Sequence, residues 1–574
     1  MIRTIMVVFL ALTTFPAQTT FAEDLLREAL ETRSQSILTK LQKDKKSSGA
    51  TFKEFALSMS DVLLAKGAHE RGNAIRWAFQ KKNNVELPVR DIAMIASVFA
   101  REYYQTEIIK KSAELMKFKT YAVSGIPNRQ NPEFIRQANR LEQIAAELGL
   151  HFRDVDGYVQ EITIGESEKI FGVTVHSDVQ PVDESAWRES PWDGVIKDGE
   201  LWGRGAIDDK GPLVAIMYGM RALLDSGLPL RQKIVLLVGT DEESANEDIN
   251  YYLSKNKAPD KTIVVDADYP VICAEKGWCG SWLKLPVQHK NVDSGMVITD
   301  LQAGFSPSIV PAKAAAKIVD CCKSADEIVN EIQPLIEKFH QTRQAAALEL
   351  IAQDDHVLLT ARGRAVHASV PETGHNALMD LLVFITDYLK PAPNGLALMA
   401  EFAARYIGFE LAGKSLGIAR HDEFMGNVSV AANMFQTAAD SVMFMFNYRI
   451  PKGITSKQAA VEIEKRLNAF ENEKGVQFGH QKYLSEAMYN DPETPFVKRL
   501  LGIYNDVTGE SRSAGSMGGE TYAKRIPNAV VFGPNMPDDE YRGHQPNERI
   551  KLSVLVKNIE ILTHTLMSFA LDGK

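Results

Sequence analysis

Apolar residues recur at helical spacing from residue 23 to about 105: Leu26, Leu30, Ile37 and Leu41 first, then positions 55–64 and 92–99. Few Gly or Pro interrupt these stripes, and the charged, Ser- and Gly-bearing run 43–49 separates the first two helices. We read the stripes as core-facing and assign them no chemistry. A helical segment from Ile108 leads to Ile126-Pro127, and residues 133–148 predict another helix that stops at Gly149. From there the pattern changes. Continuous apolar runs at 170–175, 234–238 and 262–265 read as buried strands. A helix at 212–226 intervenes, with Pro212 suited to its first turn and Gly227 to its end. Strands alternating with helices imply a mostly parallel sheet covered on both faces.

After about residue 283 the runs become more mixed. Strands are expected at 357–360, 428–431 and 442–448, and helices at 325–341 and 456–470. A further strand at 529–532 precedes His544. The polar residues follow the strands. His176 ends the first run, Glu242 and Glu243 follow the second, and Asp266 ends the third. In open α/β sheets ligands bind beyond the carboxyl ends of the strands, so separate segments deliver metal-type donors to one edge. Asp208, in Gly203-Arg204-Gly205-Ala206-Ile207-Asp208-Asp209-Lys210-Gly211, and His544 extend the set. Histidines and carboxylates of this kind are good ligands for borderline divalent metals, and together they predict one dinuclear metal site of a hydrolase. The stretch 284–484 carries no complete cluster of its own and reads as an insertion. The expected order is a targeting segment (1–22), a helical extension (23–105), a catalytic domain in two parts (106–283 and 485–574) and the inserted domain (284–484).

Composition changes little in this picture. At 574 residues the chain needs more than one core, and 45% hydrophobic with 24% charged residues is ordinary for a globular enzyme. Net charge −9, with no basic block interleaved with aromatics, argues against nucleic acid. Arg3, the apolar run 5–15 and the small residues before Glu23 read as a signal peptide cleaved after Ala22. The mature protein is therefore expected to be exported, periplasmic or secreted. No later segment reads as long enough to span a membrane, so no stable insertion should remain after cleavage. Four cysteines make no disulfide framework; Cys273 and Cys279 could pair, whereas the adjacent Cys321 and Cys322 are awkward partners for each other.

The motifs resemble one family. His176-Ser177-Asp178-Val179, the Gly203–Gly211 run, Gly239-Thr240-Asp241-Glu242-Glu243-Ser244, Asp266-Ala267-Asp268 and His544-Gln545-Pro546-Asn547-Glu548 occur in the order found in co-catalytic zinc peptidases. That family includes carnosinases, glutamate carboxypeptidases, succinyl-diaminopimelate desuccinylases and acylases, and the Asp208–Pro212 and Gly239–Ser244 forms are most similar to its bacterial dipeptidase branch. The similarity spans roughly residues 105 to 574. It implies an α/β fold, with a phosphorylase/hydrolase-like mostly parallel catalytic sheet, an inserted α+β lid domain and the N-terminal helical extension outside the likeness.

Carried over, the resemblance implies that Asp208 bridges two Zn2+ ions, with Co2+ or Mn2+ as substitutes. His176 and Asp266 would complete one ion's ligands, and Glu243 and His544 the other's. Glu242 is matched to the general base and Asp178 to the partner of the second ring nitrogen of His176. In the inserted domain, Gly363-Arg364-Ala365-Val366-His367-Ala368-Ser369 makes His367 the oxyanion donor. Arg449 matches the arginine that grips a substrate carboxylate, and Ser516-Met517-Gly518-Gly519-Glu520-Thr521-Tyr522 the loop whose Gly518, Gly519 and Thr521 hold the same end. Ser308 stands where the family commonly has Asn, and Glu520 where a glycine is expected. A lid of about 200 residues containing its own histidine implies a monomer. The expected substrate is a dipeptide or short peptide with a free carboxylate. An N-acyl amino-acid deacylase is the alternative, and a metal-free binding protein on the same scaffold a third reading.

Overall fold

A computed structural model describes residues 17–43, 46–80, 86–287 and 295–572. The chain forms two compact units. The first runs to Val271 and resumes at Glu493–Ser513 and Thr521–Lys574; the second comprises Ile272–Pro492 and Ala514–Glu520. The expected signal segment falls largely outside the described residues, and helix α1 (Ala17–Gln42) begins within it.

In the first unit α1 is followed by α2 (Ser48–Ala65), α3 (His69–Phe79) and α4 (Val89–Leu115). Phe52, Phe55 and Phe99 are fully buried between them, and the Phe52 and Phe99 rings meet edge to face at 5.0 Å. These helices are not an appendage with a core of their own. Helix α4 packs along α6 (Lys210–Ser226) and the last helix, α7 (Leu552–Leu571), so the extension shares one core with the sheet domain. Arg221 on α6 donates to the Ser48 hydroxyl at 2.8 Å, and the Tyr104 hydroxyl donates to Asp225. Helix α7 corrects one expectation. It is long and apolar enough to cross a membrane, but most of it is buried in this unit, where Phe569 stacks on Phe171 at 4.2 Å.

Helix α5 (Pro132–Leu148) starts on the Asn131 side chain and ends at Gly149, which is left-handed (φ 71°), the conformation glycine adopts without strain. The strands that follow are β1 (His151–Val155), β2 (Val159–Ile164), β3 (Ile170–His176), β4 (Lys233–Gly239), β5 (Lys261–Val264) and β6 (Ala529–Val531). Their order is β1-β2-β4-β3-β5-β6. The β4-β3-β5-β6 part is parallel and β1-β2-β4 antiparallel, which gives the mostly parallel sheet. Strands buried along almost their whole length explain the unbroken apolar runs.

The second unit is built on an eight-stranded antiparallel sheet. Its order is Ala347–Ala352, Val357–Arg362, Lys313–Asp320, Met296–Ala303, Ser429–Thr437, Ser441–Ile450, Gly277–Pro286, Gly479–Leu484. Lys313–Asp320 alternates exposed and covered positions, the mark of a sheet with one covered face. Helices Ala325–Thr342 and Ser456–Lys474 begin with capping boxes, Ser324 with Glu327 and Thr455 with Gln458. The unit is wider than the expected 284–484. Gly277–Pro286 pairs with Ser441–Ile450 over its whole length, and Ile272–Glu275 pairs with Met488–Tyr489 and Gly515–Met517, so both flanks belong to it.

Candidate metal centre

Parallel register sets the donors in line. His176, the last residue of β3, stands opposite Gly239, the last of β4, and Thr174 stands opposite Val264 at the end of β5. Glu242, Glu243 and Asp266 follow those ends within four residues. Asp208 lies in the loop that leads into α6, and Asp209 is that helix's N-cap. The Asp208–Asp209 peptide is cis. His544 sits in the loop before strand Arg549–Lys551 with φ 63°, a conformation uncommon for a residue with a side chain.

These groups converge in the first unit. The Asp208 carboxylate turns one oxygen to each histidine: Oδ1 lies 2.7 Å from His176 Nε2 and Oδ2 lies 3.0 Å from His544 Nε2. His176 Nε2 is also 3.5 Å from Asp266, and His544 Nε2 is 2.8 Å from Glu243. Two trios result, His176–Asp208–Asp266 and Asp208–Glu243–His544, each with donor atoms within 4.8 Å of one another and with Asp208 in both.

The charge balance of the cluster is telling. Burial opposes ionisation of Glu242, and its neighbours Asp266, Glu243 and Asp178 add repulsion, so its pKa stands well above the carboxylate range despite His176. Burial likewise pushes Asp266 up to about 6, against the pull of His176. Burial disfavours charge on both histidines, but Asp266 for His176 and Glu243 for His544, with Asp208 beside both, hold their pKa values well above the usual imidazole range. A pocket of crowded carboxylates and imidazole nitrogens, with two trios sharing one bridging acid, fits a pair of divalent cations, which would relieve the repulsion.

Asp178 stands at the second ring nitrogen of His176, more closely through its backbone than through its side chain. His176 Nδ1 faces the Asp178 backbone carbonyl at 2.9 Å, whereas the carboxylate is 3.6 Å away. That carboxylate instead accepts from the Glu242 and Glu243 backbone N–H groups at 3.2 and 3.0 Å and so shapes the turn that carries both acids.

Four contributors were not singled out from sequence. The Tyr541 hydroxyl donates to Asp208 Oδ2 at 2.6 Å, and Gln180 Nε2 donates to Glu243 at 2.9 Å. Asp209 accepts from the His176 backbone N–H at 3.4 Å, and its pKa is raised by burial. Glu548 is fully buried. Its Oε1 accepts from the N–H groups of Gly205, Ile207 and Asp208 at 3.0, 3.1 and 3.3 Å, and its Oε2 from Arg204 at 2.7 Å. The only signal for Glu548 was its place four residues after His544.

The remaining predicted residues divide between the units. Thr521 belongs to the first, where its hydroxyl accepts from Ala523 N–H at 3.1 Å. His367, Arg449, Gly518 and Gly519 belong to the second. His367 is exposed, and its Nδ1 faces the Ser369 hydroxyl at 2.6 Å and the Ser369 N–H at 3.3 Å. Gly518 lies against this pair: a Cβ there would come within 2.5 Å of Ser369 Cβ. The Ser308 carbonyl accepts from Ala368 N–H at 2.8 Å in the same loop cluster. Arg449 is 1% exposed, its Nε donates to Asn447 at 3.1 Å, and its guanidinium lies 5.5 Å from the Trp278 ring centroid. Burial lowers its pKa to about 9, which Glu520 opposes; Glu520 itself accepts from Ser485 at 2.8 Å.

Fold and site together define a metal-dependent hydrolase of the α/β class with a second, antiparallel-sheet unit. The family model Peptidase family M20/M25/M40 matches residues 172–568, and the chain belongs to that family. Among curated relatives, "Putative dipeptidase YtjP" of Bacillus subtilis is 27% identical over 75% of this chain and 89% of its own length. Human carnosine dipeptidase 1 superposes with TM-score 0.51 at 13% identity over 83% of this chain and 99% of its own. The di-peptidase Dug1p of Saccharomyces cerevisiae gives 0.52 at 13% identity over 84% and 99%. At such identity these two structures speak for the fold.

Proposed function

We propose that the protein is an exported two-metal dipeptidase that cleaves the amide bond of a dipeptide or short peptide bearing a free carboxylate. The observation that carries this reading is the pair of donor trios sharing Asp208. Family membership and the dipeptidase names of the relatives support it. His176, Asp208 and Asp266 would hold one cation, and Asp208, Glu243 and His544 the other; zinc suits these nitrogen and oxygen donors, as would cobalt or manganese. Bound divalent cations supply Lewis acidity toward a carbonyl and toward water.

The chain's own groups do the rest. Glu242, whose proton affinity is raised by burial and by neighbouring acids, takes a proton from the attacking water and passes it to the leaving amine. Tyr541 and Gln180 hold Asp208 and Glu243 in orientation. His367, whose Nδ1 is held by Ser369, is assigned to donate through its other ring nitrogen to an oxygen developing negative charge. Arg449 is assigned to the substrate carboxylate, a task that suits the guanidinium fork. The protein is expected to act as a monomer, which hydrodynamic measurement checks. N-terminal sequencing of the mature protein checks export.

Glu242→Ala is the central test. Metal content should survive, and turnover of dipeptides should fall by at least ~10²–10⁴. Retained turnover would overturn the assignment of the base. Assaying free dipeptides beside N-acetyl and N-succinyl amino acids separates a dipeptidase from a deacylase with the same centre.

A further inference from the structure

The turn between strand Lys313–Asp320 and helix Ala325–Thr342 carries Cys321 and Cys322. Both are exposed and their sulfurs lie 3.0 Å apart, although adjacent cysteines were expected to be awkward partners. The flanks of the turn are fixed. Asp320 is buried and accepts from the Cys322 N–H at 3.0 Å, and Lys323 Nζ lies 3.6 Å from the same carboxylate. One residue on, Ser324 and Glu327 close the capping box of the helix. The backbone on either side thus holds the two side chains on one side of a short turn, and the entropy of bringing the sulfurs together is largely spent on folding. Cys273 and Cys279 are buried, so they do not compete for reagents in solution.

We propose that Cys321 and Cys322 form a reversible vicinal dithiol–disulfide couple, a modification site on the second unit that exchanges with low-molecular-weight disulfides. One cysteine thiolate attacks a sulfur of the small disulfide. A protein–small-molecule disulfide forms and one small thiolate leaves. The neighbouring cysteine, deprotonated in turn, attacks the protein sulfur of that mixed disulfide, and the second small thiolate leaves. The protein has lost two hydrogens and the small disulfide has become two thiols. Consecutive Cα atoms are ~3.8 Å apart, closer than the ~4.4–6.8 Å usual for disulfides, so the ring is strained. An exposed, strained bond belongs to the labile class that the reverse exchange readily reopens.

The test uses the intact chain incubated with oxidised glutathione, alkylated, digested with trypsin and mapped by mass, with attention to peptide 318–323. The expected product is a peptide that has lost two hydrogens, resists alkylation and becomes alkylatable after reduced glutathione is added. Cys322→Ser and Cys321→Ser should each retain one glutathione as a stable adduct, because the second attack is lost. Stable glutathione adducts on the unaltered chain, two thiols that remain alkylatable, or disulfide-linked dimers on a non-reducing gel would each overturn the proposal.

Discussion

Replacing Glu548 probes how the loop that carries Asp208 is held. The carboxylate accepts from three backbone N–H groups at 3.0–3.3 Å and from Arg204 at 2.7 Å, with Glu548 0% and Arg204 3% exposed. Glu548→Ala leaves a buried guanidinium unpaired, which costs ~3–5 kcal/mol. It also strips the N–H groups of their acceptor, at ~1–3 kcal/mol for each that water does not reach. The total loss should therefore be at least about 3 kcal/mol, a large share of a typical ~5–15 kcal/mol net stability. Glu548→Gln is the sharper probe. Its amide keeps one carbonyl oxygen for the N–H groups but turns an NH2 toward Arg204 or toward those donors. Folding should survive, while the Asp208 loop loosens and metal affinity falls by ~10–100-fold, the usual effect of altering a ligand's supporting partner. In Arg204→Met/Glu548→Met the unpaired charge is gone, so much of the stability should return, but the loop still lacks its acceptor and metal affinity should stay low. Denaturant melts give the stability and competition titration with a chromophoric chelator gives the affinity. A Gln variant that binds metal as tightly as the parent would refute the reasoning.

Further outcomes follow from the same geometry. Chelation should lower stability by about 4 kcal/mol when the metal is present at ~1,000 times its Kd, and Asp208→Asn should erase that difference; equal melting with and without chelator in the parent would contradict a resident metal. His564, buried on α7, has its pKa pushed down to about 4 by burial. Its folded pKa lies below the unfolded value of ~6.5, so its contribution is complete above pH ~6.5 and is lost as pH falls toward ~4, for a total of about 3 kcal/mol. His564→Phe should remove that slope from urea melts at pH 7 and 4.5, and an unchanged pH dependence would contradict it. Gly518→Ala forces Ser369 to move, because the new Cβ would lie 2.5 Å from Ser369 Cβ. It should destabilise by ~1–3 kcal/mol. It should also lower kcat through His367, which Ser369 holds, and wild-type kcat would show that this coupling is absent.

Much of the molecule can be read along the chain. The apolar runs located β3, β4, β5 and β6 within a residue or two, because strands buried along their length must be continuously apolar. The switch to mixed runs marked the second unit, though its edges fell at 272 and 492 because pairing partners, not local composition, decide which sheet a strand joins. Helix α7 shows the opposite failure: a 20-residue helix of mean hydropathy 1.3 looks alike whether lipid or protein surrounds it.

Residue identity and order along the chain thus determined which donors exist and that three of them follow parallel strands. Tertiary structure alone decided which atoms face each other. Asp208 and His544 lie far apart in sequence, and the 3.0 Å between them depends on a left-handed residue in one loop and on Glu548 holding the other. The same holds for Tyr541 on Asp208, for Asp178 capping the Glu242–Glu243 turn, and for the two sulfurs of Cys321 and Cys322. Strand period and burial are local properties that a sequence displays directly. The direction of a side chain in a loop is set by backbone dihedrals and distant hydrogen bonds, and these come into being only when the chain closes on itself.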